Sequence, residues 1–209
     1  MKILVTESQY KKLLKEEEKE QKIFRVPGLD FFHENPWKAW QILQEVLEQR
    51  GNPPYTIDGY LYFPGKPIKS LGNLISVEGD LELNNTPIES LENLESVGAS
   101  LELAETPIKS LGNLKSVGKN LFLYQTPIES LGNLTSVGSN LNLENTPIKS
   151  LGNLTSVGSF LDLRRTPIES LGNLTSVGGD LYLYDTPLSE KYTEEQIRQM
   201  LYFVDVIYF

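Results

Sequence analysis

The stretch TPIESLGNLTSVGSNLNLEN, residues 126–145, decides the fold. It belongs to an uninterrupted series of six 20-residue repeats with nearly identical sequences, which spans residues 66–185. A fixed period of this length indicates a solenoid, because one unit is too small to bury its own apolar face and buries it against the next unit. The sequence therefore predicts an elongated stack of coils.

The apolar spacing inside one unit predicts how a coil is built. Leu101 and Leu103 alternate with a period of two, which is typical of a strand with one buried face. Leu91, Leu94 and Val97 recur at every third position, which indicates a tight helical or 3₁₀-like turn. The glycine that follows Val97 is expected to let the backbone turn back into the strand. Each coil is thus predicted to have one short parallel strand and one non-strand arc.

The run LELAETPI at residues 101–108 resembles the L-x-L-x-x-N-x-L core of the leucine-rich repeat family, with Thr106 where asparagine is usual. The phrase SVGGDLYL at residues 176–183 is also similar to bacterial and phage variants and to receptor L domains. The resemblance covers about residues 57–188. It implies an α/β solenoid, a leucine-rich repeat with one short parallel strand per coil. It also implies a role in binding proteins, with no partner common to the family.

A column of threonines takes the place of the family's asparagines. In the resembled family the asparagine ladder hydrogen-bonds the backbone at the corner after the strand. The threonines lie in phase with the inward leucines, so we expect their hydroxyls to satisfy backbone groups of the adjoining coil. A structural role is therefore predicted for Thr86, Thr106, Thr126, Thr146, Thr166 and Thr186.

A second column alternates in charge from coil to coil. Stacked coils bring such residues to roughly 4.8 Å from one another, the spacing of paired strands. Like charges at that distance would repel, whereas alternating charges attract both neighbours. The column therefore favours coils that touch in sequence order: Lys69, Glu89, Lys109, Glu129, Lys149 and Glu169.

Two other solenoids are less consistent with the pattern. A pentapeptide-repeat coil needs an apolar centre at every fifth residue, and the spacings in these units are unequal. A parallel β-helix with several strands per coil is expected to have more alternating, β-branched stretches than the one that each unit offers.

The chain is predicted to have three regions. Asn35 followed by a proline and two tryptophans, Trp37 and Trp40, indicates a capped amphipathic helix whose apolar face covers the first coil. The regions are an N-terminal arm and helical cap over residues 1–56, the solenoid over residues 57–188, and a C-terminal cap helix with a final strand over residues 189–209.

The C-terminal region is predicted from two features. Thr193, followed by two glutamates, is a favourable helix N-cap. The apolar, alternating segment Val204–Phe209 is expected to add the final strand. A monomer capped by this strand is predicted, and a dimer through the same hydrophobic edge is the alternative.

Composition narrows the class of protein. The 209 residues carry a formal net charge of -9 and include no cysteine, so neither disulfides nor thiolate metal sites are expected. The acidic excess falls in residues 57–209, which disfavours nucleic acid and anionic membranes as partners. The first residues contain no secretory apolar region and no apolar stretch is long enough to span a bilayer, so a cytoplasmic protein is expected. The opening MKILVTESQYKKLL is similar to those of bacteriophage proteins, which hints at a phage origin.

The outward strand positions vary while the framework does not. The segment SLGNLTSVG is identical at residues 130–138, 150–158 and 170–178, whereas the combination of outward residues on the predicted sheet differs in every unit. Drift at exposed sites is one explanation, but it accounts poorly for several aromatic rings on a solvent face. Aromatic residues and arginine anchor protein interfaces, so we predict rings as anchors and arginines that fix orientation through charged hydrogen bonds. The predicted partner-binding face comprises Phe122, Tyr124, Glu144, Phe160, Asp162, Arg164, Arg165, Tyr182, Tyr184 and Asp185.

The predicted function is a non-catalytic protein-binding module without cofactor or metal. The alternatives are a carbohydrate-binding surface, a structural or self-assembling protein, and a solenoid enzyme that cleaves polysaccharides. For the enzyme, Glu82 and Glu102 are the carboxylates with nearly suitable separation, but we expect nothing on an open, wet sheet to raise a pKa. The single histidine, His33, lies outside the repeats and is expected to pack in the N-terminal cap.

Overall fold

Residues 23–29 and 35–209 are described by the computed structural model. They form a parallel β-solenoid of about six turns with coils of about 20 residues. The charged N-terminal arm and His33 lie outside the described residues.

Two parallel sheets run along the solenoid, each with eight strands in the described ranges. Sheet A consists, in spatial order, of β1 Phe24–Val26, β2 Tyr55–Ile57, β4 Leu74–Val77, β6 Ser96–Val97, β8 Ser116–Val117, β10 Ser136–Val137, β12 Ser156–Val157 and β14 Ser176–Val177. Sheet B consists of β3 Leu61–Tyr62, β5 Leu81–Glu82, β7 Leu101–Glu102, β9 Leu121–Phe122, β11 Leu141–Asn142, β13 Leu161–Asp162, β15 Leu181–Tyr182 and β16 Ile207–Tyr208.

Consecutive units pair in register, as the period predicts. Leu141 lies opposite Leu121 on one side and Leu161 on the other, so residues twenty apart in the sequence are neighbours in space. The leucines of the Leu-x-Leu pattern point into the core, where Leu141 is fully buried. The period, the register and the inward face are therefore confirmed.

The prediction of one strand per coil is wrong, because each repeat has a second one. Ser136 and Val137 of β10 pair with the same dipeptide in the coils before and after. Only the valine of this strand faces the core, so two residues cannot produce a recognisable alternation in the sequence. The tight turn expected before it is present, since the Leu134 N–H donates to the Leu131 carbonyl oxygen at 3.1 Å.

A column of glycines after the sheet A strands brings successive coils into close backbone contact. A Cβ on Gly138 would lie 2.1 Å from the carbonyl oxygen of Gly118, and the same clash recurs at Gly98, Gly158 and Gly178. None of these glycines has a positive φ. The expected role in turning the chain is therefore replaced by a steric one, because only a residue without a side chain lets the coils approach this closely.

We expect Gly138→Ala to destabilise the protein by about 3 kcal/mol or more, since the coils must separate locally to admit the methyl group. The measurement is urea unfolding followed by circular dichroism. Gly152→Ala is the control: its φ is +57 but nothing lies within 4 Å of the new Cβ, so only backbone strain of about 1–2 kcal/mol is expected. If both variants lowered the free energy of unfolding equally, the steric explanation would be contradicted.

The threonine column is buried, but its hydrogen bonds run within a coil. Thr146 is 2% exposed, and its hydroxyl donates to the carbonyl oxygen of Leu143 in the same coil at 2.7 Å. Thr106, Thr126, Thr166 and Thr186 make the same bond. The expected bond to the adjoining coil is thus wrong, because a hydroxyl is shorter than an asparagine amide and reaches only the turn that it closes.

Thr146→Val should cost about 1 kcal/mol or more, because it leaves the Leu143 carbonyl without that donor. Thermal unfolding of the purified protein measures the effect. Thr86→Val is a matched control, since the buried Thr86 hydroxyl has no hydrogen-bond partner among the described residues. If Thr86→Val lowered the stability as much as Thr146→Val, the shape of the side chain, rather than its hydrogen bond, would be responsible.

The alternating charges are neighbours along one edge of the coils. The Glu129 N–H donates to the Lys109 carbonyl oxygen at 2.9 Å, and Glu169 and Lys149 repeat this contact. The Lys149 ammonium lies 3.9 Å from a Glu169 carboxylate oxygen, and both side chains are mostly exposed. The alternation of charge therefore reflects the order in which the coils stack, while each exposed ion pair adds little to the stability of the protein.

The predicted N-terminal helix, α1, spans Pro36–Gln49. The Asn35 side chain accepts a hydrogen bond from the Lys38 N–H at 3.2 Å and begins the helix. Trp37 and Trp40 pack on Phe63 of the first coil, with ring centroids 5.7 and 5.5 Å away.

At the C-terminus, α2 spans Pro187–Lys191 and α3 spans Glu194–Met200. Thr193 caps α3 as predicted, through a reciprocal capping box with Gln196. The final strand is confirmed as β16, which pairs with β15 so that Tyr208 lies opposite Tyr182. In the described part of the chain, none of the helices has the length and apolarity needed to cross a bilayer.

Candidate partner-binding face

The outward positions of sheet B form rows across the coils. The register places Asn142 beside Phe122 on one side and Asp162 on the other, and Asp162 beside Tyr182. The full row reads Tyr62, Glu82, Glu102, Phe122, Asn142, Asp162, Tyr182 and Tyr208. The row therefore has an acidic stretch, Glu82 and Glu102, next to the terminal Tyr62, and aromatic residues at its other end.

Four rings meet at the C-terminal end of this face and are named here the aromatic cluster: Phe160, Tyr182, Tyr184 and Tyr208. Tyr182 and Tyr208 stack with planes 5° apart and centroids at 4.8 Å. Phe160 meets Tyr182 edge-on at 6.3 Å, and Tyr184 lies 6.4 Å from Tyr208. The expected neighbours Phe160, Tyr182 and Tyr184 are thus brought together.

Sequence reasoning missed Tyr208. Tyr208 lies after the last repeat, in a segment that does not share the repeat sequence. The pattern that this segment has in common with the repeats is only a few residues long. Aligning the apolar Ile207 with Leu181 would have found it, because the next residue is then a tyrosine in both strands.

The rings are less exposed than the sequence predicts. Tyr184 has 42% of its surface exposed, whereas Phe122, Tyr124, Phe160 and Tyr182 are half-buried. Stacked coils place bulky neighbours less than a ring's width apart, so each ring covers part of the next. Of the aromatic residues predicted for the face, Tyr184 is the one that is exposed.

Phe160 interrupts a polar column that joins neighbouring coils. At the equivalent positions Asp80 accepts from the Ser100 N–H at 2.8 Å, and Asn120 accepts from the Asn140 N–H at 3.3 Å. Asn140 accepts in the same way from the Phe160 N–H, but a phenyl ring cannot continue the chain of acceptors. The framework therefore does not require an aromatic residue here.

A charged cluster, comprising Glu144, Asp162, Arg164, Arg165 and Asp185, adjoins the rings. Asp162 is 3% exposed, and the Arg164 guanidinium donates to both of its carboxylate oxygens, at 2.9 and 2.5 Å. Arg164 also reaches Glu144 at 3.3 Å, and Arg165 bonds the other oxygen of Glu144 at 3.1 Å. Asp185 lies 3.8 Å from Arg165.

These contacts change the roles expected for two residues. Asp162 is too deeply buried to meet a partner and instead positions Arg164. The hydrogen bond to Asp162 raises the pKa of Arg164, which stays charged, and its guanidinium lies 5.7 Å from the Tyr182 ring centre. Arg164 therefore joins the charged cluster to the aromatic cluster, and Arg165, with 61% of its side chain exposed, is the more exposed of the two arginines.

After each sheet B strand from β5 to β15, the third residue beyond the strand takes the left-handed conformation. The φ angles of Arg165 and Asp185 are 55 and 57, and Asn85, Glu105, Gln125 and Asn145 take the same conformation. Non-glycine residues other than Asn and Asp pay about 1–2 kcal/mol for it. Glu105, Gln125 and Arg165 are thus present despite a local cost to stability.

In the acidic stretch of the row, the structure corrects one expectation. Burial raises the pKa of Glu82, and the neighbouring carboxylates of Glu102 and Asp80 raise it further. The open sheet was expected to leave every carboxyl unperturbed, but in-register stacking places Glu82 directly opposite Glu102. Glu102 in turn accepts a hydrogen bond from the Asn84 amide at 2.7 Å.

Residues 23–29 and 35–209 contain no group of three or more His, Cys, Asp or Glu side chains arranged to hold a metal ion. Comparisons with models of protein families, with curated proteins and with solved structures found no match to the chain. The function is therefore inferred from the geometry of the face.

Glu82→Gln is expected to stabilise the protein at neutral pH. Because the folded-state pKa of Glu82 lies above its ordinary value of 4.5, the native state binds more protons than the unfolded state between these two values, so stability falls as pH rises through that window. The cost is complete above the folded-state pKa and absent below the unfolded one. Urea unfolding of both proteins between about pH 4 and pH 8 should show a gain that disappears at the acidic end.

The Glu102→Gln background provides the control. Glu102 is one cause of the raised pKa, so the gain from Glu82→Gln should be smaller there. A gain that stays constant with pH in the native background would contradict the electrostatic explanation.

Proposed function

We propose that the protein is a non-catalytic module that binds a protein partner through the outward face of sheet B, across the coils from Phe122 to Asp185. The observation that carries the proposal is the exposed Tyr184 in the aromatic cluster, beside Arg165 in the charged cluster. Tyrosine and arginine are enriched among the residues that dominate binding energy at protein interfaces. Half-buried rings around them would exclude water from the contact.

The rigidity of the face supports the same proposal. Its residues stand on a parallel sheet whose strands bond to both neighbours, and Arg164 is held by the buried Asp162. Side chains fixed before association lose less conformational entropy on binding. A preformed platform of this kind suits recognition of a surface on a folded partner.

We further propose membership of the leucine-rich repeat family, with α1 and the C-terminal helices as caps on the two ends of the solenoid. The inward Leu-x-Leu pattern, the buried threonine column and the packing of Trp37 and Trp40 on Phe63 support this. The second strand in each coil is a departure from the one-strand plan that the resemblance implies.

The test is quantitative affinity capture from cells of the native host, comparing the unmodified chain with Tyr184→Ala and with Arg165→Ala. The captured amount of a partner that binds this face should fall at least about tenfold with Tyr184→Ala. Arg165 is chosen rather than Arg164 because truncating Arg164 would leave the carboxylate of Asp162 buried without its partner.

Tyr202→Ala is the matched control, because Tyr202 is 92% exposed and lies at the other sheet, where its N–H donates to the Thr175 carbonyl. All three variants should melt within a few degrees of the unmodified protein. Equal capture by Tyr184→Ala and the unmodified chain would remove this face from consideration. Binding to a glycan array that Tyr184→Ala abolishes would assign the face to a carbohydrate instead.

A further inference from the structure

Residues 202–209 add half a coil after the sixth repeat and are named here the terminal half-coil. Phe203 forms a parallel bridge with Ser176 of sheet A, and Ile207 lies opposite Leu181 of sheet B. The Leu181 N–H donates to the Val206 carbonyl oxygen at 2.8 Å. This register shows which residue of a complete repeat each residue of the half-coil replaces.

The terminal half-coil has exposed apolar residues where the repeats are polar. The position of Phe203 is serine in all six repeats, and that of Val206 is Asp180 in the last of them. Phe203 and Val206 have 55% and 39% of their surface exposed, and Phe209, in the position of the inward Leu183, has 37%. These three residues are named here the terminal patch. The fold accepts serine and aspartate at the first two positions, so apolar residues there indicate a contact surface.

The outer edge of β16 offers backbone groups for a further strand. The Val206 and Tyr208 carbonyl oxygens accept from β15, so the alternate residues, Ile207 and Phe209, direct their N–H groups to the other side. In the repeats, the equivalent N–H groups of Leu181 and its counterparts donate to the next coil. Among the described strands β16 is the last of sheet B, and a strand edge of this kind is a template for pairing with another strand.

The corner beside β16 is closed from within the molecule. The Arg198 guanidinium, on α3, donates to the Val204 carbonyl oxygen at 3.1 Å and to the Asp205 carbonyl oxygen at 2.9 Å. These carbonyl groups are therefore satisfied without a neighbour. The open part of the half-coil is β16 together with the terminal patch.

The low charge of this end favours a second copy of the chain as its occupant. Asp205 is the one charged residue in residues 199–209, although the whole chain carries a net charge of -9. A strongly charged partner gains little electrostatic attraction from such a surface. Two acidic copies repel where their charged surfaces meet, so this end is where they approach at the lowest cost. The cores of homodimer interfaces are likewise apolar and poor in charge.

The opposite end of the solenoid limits how copies can associate. There α1 covers the first coil, with Leu43 and Leu47 buried and Trp37 against Phe63. Stacking of copies head to tail would bring β16 against this helix, which blocks an open-ended chain of copies. A two-fold contact between two C-terminal ends closes after two copies.

We infer that two copies of the chain associate through their C-terminal ends about a two-fold axis. The axis reverses the strand direction, so the outer edges of the two β16 strands pair antiparallel and sheet B continues from one copy into the other. The two terminal patches pack on each other beside this junction. In this proposal, a dimer through the C-terminal edge takes the place of the monomer predicted from the sequence.

The test is sedimentation velocity of the full chain from about 1 μM to about 200 μM. We expect a concentration-dependent change from the 23.6 kDa monomer to a dimer. Phe203→Ser combined with Val206→Asp should weaken association at least about tenfold, because the pair removes apolar surface and adds like charges on both sides of the axis. Each substitution introduces the residue of the preceding repeat, so the double variant should melt within a few degrees of the unmodified monomer.

Tyr60→Asp is the matched control. Tyr60 precedes Leu61 as Val206 precedes Ile207, so it occupies the same row at the other end of sheet B, and it is 46% exposed. The substitution also replaces an exposed apolar residue by aspartate, the residue of the next coil. It should leave the dimerisation constant within about twofold.

Amide hydrogen exchange tests the strand pairing itself. In the dimer the N–H group of Ile207 or of Phe209 donates across the junction, so at least one of them should exchange at least about tenfold more slowly at high concentration than at low. The double variant should show no such dependence on concentration. Association without slower exchange at either residue would contradict the pairing of β16.

The inference would be overturned by a monomer at every concentration, by assemblies that keep growing with concentration, or by dimers that the double variant leaves intact. An equal loss with Tyr60→Asp would also overturn it. A monomer that cosediments with phosphatidylcholine vesicles, and no longer does so after Phe203→Ser, would assign the terminal patch to a membrane surface instead. Neither Phe203 nor Val206 belongs to the proposed partner-binding face, so that proposal stands or fails separately.

Discussion

Backbone hydrogen bonds from each coil to the next fix every other feature of this protein. The Gly138 N–H donates to the Val117 carbonyl oxygen at 2.8 Å, and the Leu141 N–H donates to the Phe160 carbonyl oxygen at 3.0 Å on the other sheet. Such short coils can approach this closely only because a glycine occupies the crossing point in five successive units. A slip of one residue would turn the leucines to solvent, so a single register satisfies both sheets at once.

That register decides what the outward face can do. It brings Asp162 under Arg164 and beside Tyr182, so the side chains that look independent in the sequence form one connected group. The cost of burying a carboxylate is met by the bidentate arginine. The exposed part of this face is smaller than the sequence indicates, and Tyr184, Arg165 and Asp185 are its exposed members.

Much of the fold could be predicted because its signals repeat. The inward positions of Leu141 and its equivalents, the buried threonines, the helix begun by Asn35 and the cap at Thr193 follow from local patterns that recur or have strong chemistry. The Ser136–Val137 strand could not be predicted, because two residues with one inward side chain show no alternation. Its strand geometry comes from the neighbouring coils.

The sequence by itself determined the period of 20 residues, the inward leucines and the set of side chains offered to solvent, since each depends on residue type and spacing. Only the tertiary structure decided that Tyr208 completes the aromatic cluster and that Asp162 is buried. It also decided that Phe203 and Val206 extend the two sheets as exposed apolar residues. These outcomes depend on distances between segments remote in the chain, which the stacking of coils and the packing of the two ends establish.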